Sequence, residues 1–373
     1  MLGVYFHIPF CRHACHYCDF HFSTLLKNKE EVIDCMHVEL ERRKEEWFHS
    51  ELSSIYFGGG TPSVLNENEF KKLFDPLAFG ISNTTEITVE VNPEDVTLPF
   101  LNQMRAFGVN RLSIGVQSFF DDDLHGMNRK HSGQDAESAI KRAQDAGFEN
   151  LTADLIFGIP HSSTSKFLMN IEKLFSFSLP HFSSYALTIE EKTAFGKWER
   201  QGKLVEVPDE RMESEFFLLH DLSEKAGYEH YELSNYARSG QRSVHNSNYW
   251  KGIPYVGIGP GAHSYSHGNR RWNVSNNNEY VRSIRLEDGH YYELEKLREV
   301  DILNERLMTG LRTKEGVLWN EFPLSWREEH ANVLEEWQKK QWIQQDELGF
   351  SLLPAGWLIS NSLISHLFLT HED

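Results

Sequence analysis

The sequence predicts an α/β fold, a partial (β/α)6 barrel that resembles a TIM barrel and is followed by a small helical or winged-helix C-terminal domain. Short β-rich runs alternate with amphipathic helical runs through the first half of the chain. Such alternation is typical of a parallel sheet with crossover helices, and six units are two fewer than a closed barrel needs. After Glu190 the alternation ends, and the tail reads helix, strand and helix.

The predicted elements follow one another in a regular order. The six strands are residues 3–8, 53–57, 86–91, 111–116, 150–157 and 181–187. The helical runs between them are 30–47, 67–77, 98–107, 134–146 and 165–177. In the tail, a helix precedes Gly349, a short strand at 350–353 and a last helix. We place the barrel at 1–200, a region that completes it at 201–290 and the C-terminal domain at 291–373.

Composition excludes several classes of function. The net charge of −18 argues against non-specific binding of nucleic acid, which requires a basic surface. The sequence contains no run of 18 or more apolar residues, so no transmembrane segment is predicted. Four cysteines without a targeting segment fit a reducing cytoplasm. One of them, Cys35, falls on the apolar stripe of a predicted helix, so we expect it to be a small buried hydrophobic residue.

The other cysteines form the most informative motif, because Cys11, Cys15 and Cys18 lie within eight residues. Three thiolates on one loop can bind three irons of a four-iron cluster, which leaves one iron open to a small molecule. A disulfide is disfavoured because three clustered cysteines cannot all pair. A structural zinc site of the Cys3His type is the competing interpretation. The histidines that could complete it are His13, His16 and His21.

Polar and glycine residues recur where the predicted strands end, which is the edge at which parallel α/β folds bind ligands. The second strand is followed by Gly58-Gly59-Gly60-Thr61-Pro62. We expect a loop that faces a ligand here, with Thr61 capping the next helix. A carboxylate at this edge suits ribose hydroxyls, and an arginine suits a ligand carboxylate. Candidates at or after the next strands are Glu90, Gln117, Arg129 and Asp154.

Five motifs, in order from Tyr5 to Pro160, carry a family resemblance. They are Tyr-Phe-His-Ile-Pro-Phe-Cys-x3-Cys-x-Tyr-Cys, Gly-Gly-Gly-Thr-Pro, Glu-Val-Asn-Pro, Gly-Val-Gln-Ser-Phe and Asp-Leu-Ile-Phe-Gly-Ile-Pro. Together they resemble radical S-adenosylmethionine (SAM) proteins, in the branch of oxygen-independent coproporphyrinogen III oxidase. The resemblance implies a barrel of the radical SAM type. It also implies a [4Fe–4S] cluster on Cys11, Cys15 and Cys18 whose open iron binds SAM.

The resemblance also assigns expected roles to individual residues by motif position. Those expected beside the cluster or its SAM are Tyr5, Tyr17, Gly59, Gly60, Thr61 and Glu90. Four positions match residues that contact a second SAM in the oxidase, namely Gln117, Arg129, Asp154 and Ala186. Whether one or two SAM molecules bind is left open at this point.

Two functions within this branch remain in competition. The oxidase carries a fourth cysteine two residues after the third, where this chain has Phe20, and an N-terminal segment that has no counterpart before Cys11. The HemW group of haem chaperones fits better, because it shares the signature His-Asn-x2-Tyr-Trp followed by Gly-Ala-His. A haem chaperone is therefore expected, with an oxidase-type radical enzyme as the alternative and SAM cleavage possible in either case. The tail resembles the C-terminal domain of these HemN-type proteins.

The shared signature provides candidates for contact with haem as cargo. Imidazole is the commonest ligand of haem iron, and aromatic rings can stack on the macrocycle. The candidate residues are His245, Tyr249, Trp250 and His263. The resemblance further implies acceptor haemoproteins and an electron donor to the cluster as partners, and it permits a homodimer.

Overall fold

The computed structural model of the chain describes residues 1–287 and 289–369. Its first strands are β1 (Leu2–Ile8), β2 (Leu52–Gly59), β3 (Glu86–Val91), β4 (Arg111–Gln117), β5 (Asn150–Phe157) and β6 (His181–Ala186). The later strands are β7 (Glu229–Glu232), β8 (Asn235–Ala237), β9 (Tyr255–Ile258), β10 (His263–Ser266), β11 (Asn269–Asn273), β12 (Tyr292–Lys296), β13 (Val317–Leu318), β14 (Ile343–Gln345) and β15 (Gly349–Leu352).

The helices between the strands of the sheet are α1 (Lys29–Arg42), α2 (Lys44–Trp47), α3 (Glu67–Phe74), α4 (Leu98–Ala106), α5 (Asp121–Gly126), α6 (Gly133–Asp145) and α7 (Thr164–Ser176). Those that follow are α8 (Ala194–Arg200), α9 (Asp209–Lys225), α10 (Val244–Trp250), α11 (Asn277–Leu286), α12 (Glu299–Gly310), α13 (Leu324–Lys339), α14 (Pro354–Leu358) and α15 (Ser360–His366). Within the described ranges, no helix combines the length and apolar character that crossing a bilayer requires.

The predicted parallel sheet is confirmed, because β1 to β6 lie side by side in chain order with parallel pairing throughout. Six additional strands extend it to a 12-stranded sheet in the order β12-β11-β10-β9-β1-β2-β3-β4-β5-β6-β8-β7. β9 is parallel to β1, whereas β10, β11 and β12 continue antiparallel. β8 and β7 extend the opposite side antiparallel to β6.

Residues alternate between the two faces of each parallel strand. In β1, Val4, Phe6 and Ile8 are fully buried in the hydrophobic core, whereas Tyr5 and His7 face the interior of the barrel. The inward positions of the six strands are mostly polar: Tyr5, His7, Ser54, Tyr56, Thr88, Glu90, Arg111, Ser113, Thr152, Asp154, His181, Ser183 and Tyr185. A closed TIM barrel fills this space with branched apolar side chains. The barrel interior of this chain is instead suited to a polar ligand.

Helix α10 sits where the parallel strands begin. Glu86, at the first residue of β3, accepts hydrogen bonds from the backbone N–H groups of Val244 (3.0 Å) and His245 (2.9 Å). Beside it, His181 contacts the hydroxyl of Tyr231 at 2.8 Å. These contacts place α10 at the amino ends of the strands, so the open mouth of the barrel is at their carboxyl ends.

The C-terminal part combines helices with a small antiparallel sheet, β13-β15-β14, as a winged-helix arrangement would. The predicted strand at 350–353 is β15, and it pairs with two strands that the sequence pattern did not indicate. The expected last helix is divided into α14 and α15 at Ile359. β12 still belongs to the large sheet, through its pairing with β11.

Candidate functional site

The cysteine loop, residues 9–24, follows β1 at the mouth of the barrel. Its two ends are joined, because the N–H of Cys11 donates to the carbonyl of Ser23 at 3.1 Å and the N–H of Ser23 donates to that of Pro9 at 3.0 Å. Phe10 and Ser23 also form an isolated β-bridge. A loop closed in this way holds its side chains at the carboxyl edge of the sheet, where the sequence placed the site.

Hydrogen-bond donors point at the three thiols of this loop. The hydroxyl of Thr61 donates to Cys11 Sγ at 3.4 Å, and a guanidinium N–H of Arg129 donates to Cys15 Sγ at 3.5 Å. Burial raises the pKa of the Cys18 thiol to about 11, although a backbone hydrogen bond from Phe20 opposes the shift. Such donors to sulfur stabilise the thiolates of iron–sulfur clusters. The residues present therefore fit a cluster held on three cysteines.

Two of the three histidines considered for zinc, His16 and His21, have other partners. His16 Nδ1 lies 2.9 Å from the carbonyl of Gly126, and its ring meets Trp198 edge-on at 4.6 Å. His21 Nε2 lies 2.8 Å from the side-chain oxygen of Asn277. Among the described residues, no three His, Cys, Asp or Glu side chains gather around one position for a single metal ion. The contacts of His16 and His21 do not favour a Cys3His site.

The third glycine of the Gly-Gly-Gly-Thr-Pro loop lies against the start of the cysteine loop. A Cβ on Gly60 would stand 2.6 Å from the carbonyl oxygen of Phe10 and 2.7 Å from that of Ile8. The Gly60 N–H donates to Ile8 at 2.9 Å, and the Thr61 N–H donates to Phe10 at 2.7 Å. The expected capping role of Thr61 is wrong, because its hydroxyl accepts no hydrogen bond from the N–H groups of the next turn and instead donates to a thiol.

The first two glycines of that loop make room for side chains of the barrel interior. A Cβ on Gly58 would meet the Tyr56 ring at 2.8 Å and Glu90 Oε1 at 3.0 Å. Gly59 has a φ of +98°, and a Cβ there would lie 2.6 Å from His7 Nδ1. Packing within the protein is therefore sufficient to require glycine at both positions. Their contact with a ligand stays a prediction.

Two carboxylates face the barrel interior, Glu90 from β3 and Asp154 from β5, with β4 between the two strands. Glu90 accepts a hydrogen bond from the hydroxyl of Tyr56 at 2.7 Å. Burial, together with the nearby Asp154, raises the pKa of Glu90 to about 7, although the Tyr56 hydroxyl opposes the shift. Asp154 accepts a hydrogen bond from Ser113 at 3.2 Å, and burial raises its pKa as well. A carboxylate can accept several hydrogen bonds, so an ionised Glu90 can also accept from hydroxyl groups of a ligand.

Arg129 joins the cysteine loop to the ends of two strands. Its Nη2 donates to Asn92 Oδ1 and to the Gly115 carbonyl, both at 2.7 Å, while Nη1 donates to Cys15. The amide of Gln117 lies beside it, since a Cβ on Gly115 would contact both side chains. Gln117 has a φ of +67°, an uncommon conformation for a residue other than glycine. The sequence predicts that the Arg129 guanidinium binds a ligand carboxylate. Many of its N–H groups instead donate to other groups of the protein.

The two tyrosines expected beside the cluster, Tyr5 and Tyr17, lie in different places. Tyr17 lies near Cys15 and Arg129, and burial raises the pKa of its phenol. The Tyr5 hydroxyl lies 3.1 Å from His7 Nδ1, and His7 Nε2 lies 2.8 Å from the carbonyl oxygen of His21. Since that carbonyl can only accept, His7 Nε2 carries the proton, and Tyr5 donates to Nδ1. This chain of contacts ties the end of the cysteine loop to β1.

Ala186 is exposed at the end of β6, where it lines a cleft of about 510 Å³ together with Trp357 of the C-terminal part. Three residues of the site were not singled out from the sequence, namely His7, Tyr56 and Asn92. His7 and Asn92 lie inside two of the quoted motifs, and Tyr56 lies two positions before Gly58. The period of two along a strand was the signal that could have found His7 and Tyr56.

The haem candidates do not form one site. His245 lies inside the barrel, where its ring stacks on Tyr56 at 4.7 Å and its Nδ1 contacts Ser54 Oγ at 2.9 Å. Tyr249 and Trp250 follow on the same helix at the amino edge of the sheet, with Tyr249 50% exposed. His263 is exposed on β10, where its ring stacks on Trp272 with 6.4 Å between centroids.

Comparison with known proteins agrees with this architecture. The family model of the radical SAM superfamily matches residues 5–174, and that of the HemN C-terminal domain matches residues 297–359. The fold is similar to that of coproporphyrinogen III oxidase (HemN) from Escherichia coli, with a TM-score of 0.81, 20% identity and coverage of 98% of this chain and 90% of that chain.

The curated relatives match over nearly the whole chain. The sequence is 33% identical over 371 residues to the heme chaperone HemW of Bacillus subtilis, covering 97% of this chain and 98% of the relative. It is 32% identical over 374 residues to the heme chaperone HemW of Lactococcus lactis, covering 98% and 97%. The chain therefore belongs to the radical SAM superfamily and, within it, to the HemW family.

Proposed function

We propose that the protein binds haem and transfers it to acceptor haemoproteins while carrying a [4Fe–4S] cluster whose open iron binds SAM. The observation that carries the proposal is the cysteine loop, which presents three thiols at the mouth of a polar barrel. Thr61 and Arg129 provide donors to two of those sulfurs. The relatives that match over nearly the whole chain are heme chaperones of the HemW family, which supports haem as the cargo.

In this proposal Cys11, Cys15 and Cys18 would each hold one iron of the cluster and leave the fourth iron for SAM. The bound and reduced cluster would supply an electron for SAM cleavage. Glu90 would accept hydrogen bonds from the ribose hydroxyls. Arg129, through its hydrogen bonds to Cys15 and Asn92, would hold the cysteine loop next to the end of β3.

For haem contact, the surroundings of the two histidines support different roles. His263 is accessible on β10, and its ring stacks on Trp272. Partial desolvation and the nearby Arg270 lower the pKa of His263, so a neutral imidazole is available to iron near pH 7. The His245 ring is engaged with Tyr56 and Ser54 inside the barrel. We therefore propose His263 as the more accessible haem ligand.

A haem titration followed by the shift of the Soret band tests this assignment. We expect His263→Ala to lower haem affinity by about tenfold or more, because it removes an axial ligand. His245→Ala should have the smaller effect. A larger loss in His245→Ala would place the macrocycle inside the barrel, and unchanged affinity in both variants would remove both candidate ligands.

Two assays on one anaerobic sample with a reconstituted cluster distinguish haem transfer from oxidase activity. Haem-loaded protein is mixed with a haem-free acceptor haemoprotein, and transfer is followed by the acceptor's spectrum. The same protein is incubated with reductant, SAM and coproporphyrinogen III. A chaperone should transfer haem and yield no protoporphyrinogen. Turnover of coproporphyrinogen without haem transfer would instead assign the oxidase-type reaction.

A further inference from the structure

Three aromatic rings pack together in the barrel interior beneath the cysteine loop. Tyr56 lies 4.7 Å from His245 and 6.0 Å from Tyr5 between ring centroids, and Tyr5 lies 6.1 Å from His245. The rings of Tyr56 and His245 are close to parallel, with 29° between their planes. Tyr56 is therefore restrained by two neighbours, and its hydroxyl is directed at Glu90, 2.7 Å away.

The innermost ring of this group is itself fixed by the amino end of the barrel. His245 Nδ1 lies 2.9 Å from Ser54 Oγ on β2, and the His245 N–H donates to Glu86 on β3 at 2.9 Å. Helix α10 thus places His245 against Tyr56 from a part of the chain that lies about 190 residues away in the sequence. The contacts therefore run from His245 on α10 to the Tyr56 ring, and from the Tyr56 hydroxyl to Glu90.

We infer that Tyr56 is a positioning residue, which holds the Glu90 carboxylate in the orientation that accepts the ribose hydroxyls of SAM, with His245 supporting the Tyr56 ring. The inference rests on the proposed function, in which Glu90 binds that ribose. Gly58 leaves the space that the pair needs, since a Cβ there would meet both side chains at 3.0 Å or less. Tyr56 need not touch SAM to act in this way.

The electrostatic surroundings of Glu90 give the inference a second observable. The groups that face it are Tyr56 of β2, Arg111 of β4, Asp154 of β5, Tyr5 of β1, Tyr185 of β6 and Cys11 of the cysteine loop. Burial and Asp154 raise the pKa of Glu90, whereas the Tyr56 hydroxyl and Arg111 lower it. Loss of the Tyr56 hydroxyl should therefore raise this pKa, so that ionised Glu90 is available only at higher pH.

Equilibrium binding of SAM to the cluster-loaded protein, measured from pH 6 to pH 9, tests the inference. We expect Tyr56→Phe to weaken SAM binding by about tenfold at pH 7, the effect of a lost hydrogen bond to a charged group. The loss should shrink as the pH rises. His245→Ala should weaken SAM binding in the same direction but by less.

Tyr228→Phe is the matched control, because it removes a buried hydroxyl that donates to the Leu179 carbonyl at 2.7 Å, outside the barrel interior. It should bind SAM as the parent protein does. If the parent binds SAM and Tyr56→Phe binds it equally well at every pH, the inference is overturned. If the parent itself binds no SAM although its cluster is intact, the proposed function fails instead.

Discussion

Alanine at any one of Cys11, Cys15 and Cys18 is expected to reduce the iron and sulfide content of anaerobically reconstituted protein to near zero. Two thiolates leave two irons of a four-iron cluster without protein ligands, and such clusters are held by their cysteines. The thiol that is lost also leaves Thr61 or Arg129 without its sulfur acceptor in two of the three variants.

The matched control for this experiment is Cys35→Ala. Cys35 is buried on α1 within the hydrophobic core, with 4% of its surface exposed. The variant removes one thiol and leaves the cysteine loop intact, so its iron content should equal that of the parent. A full cluster in any of the three loop variants, or a lost cluster in Cys35→Ala alone, would contradict the assignment of ligands.

Gly60→Ala is expected to cause the second largest loss of cluster and of stability. The added methyl group would clash with main-chain atoms, which cannot move away as a flexible side chain can. Its Cβ would lie 2.6 Å from the Phe10 carbonyl oxygen, 2.7 Å from that of Ile8 and 2.9 Å from the Phe10 nitrogen. Overpacking of this kind typically costs 1–3 kcal/mol, and we expect about 3 kcal/mol or more here. The cysteine loop should shift, and cluster yield should fall with the free energy of unfolding.

Gly126→Ala provides the comparison for that variant. A Cβ on Gly126 would meet nothing within 4 Å, and the residue ends α5 without the left-handed backbone that favours glycine. Chemical denaturation of both variants, followed by cluster reconstitution, separates a local clash from a general cost of replacing glycine. Equal stability and equal cluster yield in the two variants would refute the packing argument for Gly60.

The six parallel strands could be predicted because each is buried and rich in β-branched or aromatic residues, as in Ile87, Val89 and Val91 of β3. Strands β7 to β12 were missed because they are short, with three to five residues each. Some of them are also polar: β10, for example, reads His-Ser-Tyr-Ser, and both of its end residues are exposed. Such segments adopt strand structure through pairing with β9 and β11, which a local pattern does not encode.

The candidate site was predictable where a motif ends a strand, as at Glu90 and Gln117. Its supporting contacts were not. The link from His245 to Tyr56 depends on α10 lying beneath the barrel, which no periodicity indicates. The glycines were assigned to a ligand from the sequence, whereas the main chain of the cysteine loop and the His7 ring already account for Gly60 and Gly59.

We propose that three cysteines hold a four-iron cluster with one iron left for SAM. Electron paramagnetic resonance of the reduced, anaerobically reconstituted protein, recorded without and with SAM, is the decisive measurement. We expect the signal of one [4Fe–4S] cluster per chain and a change in that signal when SAM is added. Protein that contains tetrahedral zinc, or a cluster whose signal is unchanged by saturating SAM, would exclude this arrangement.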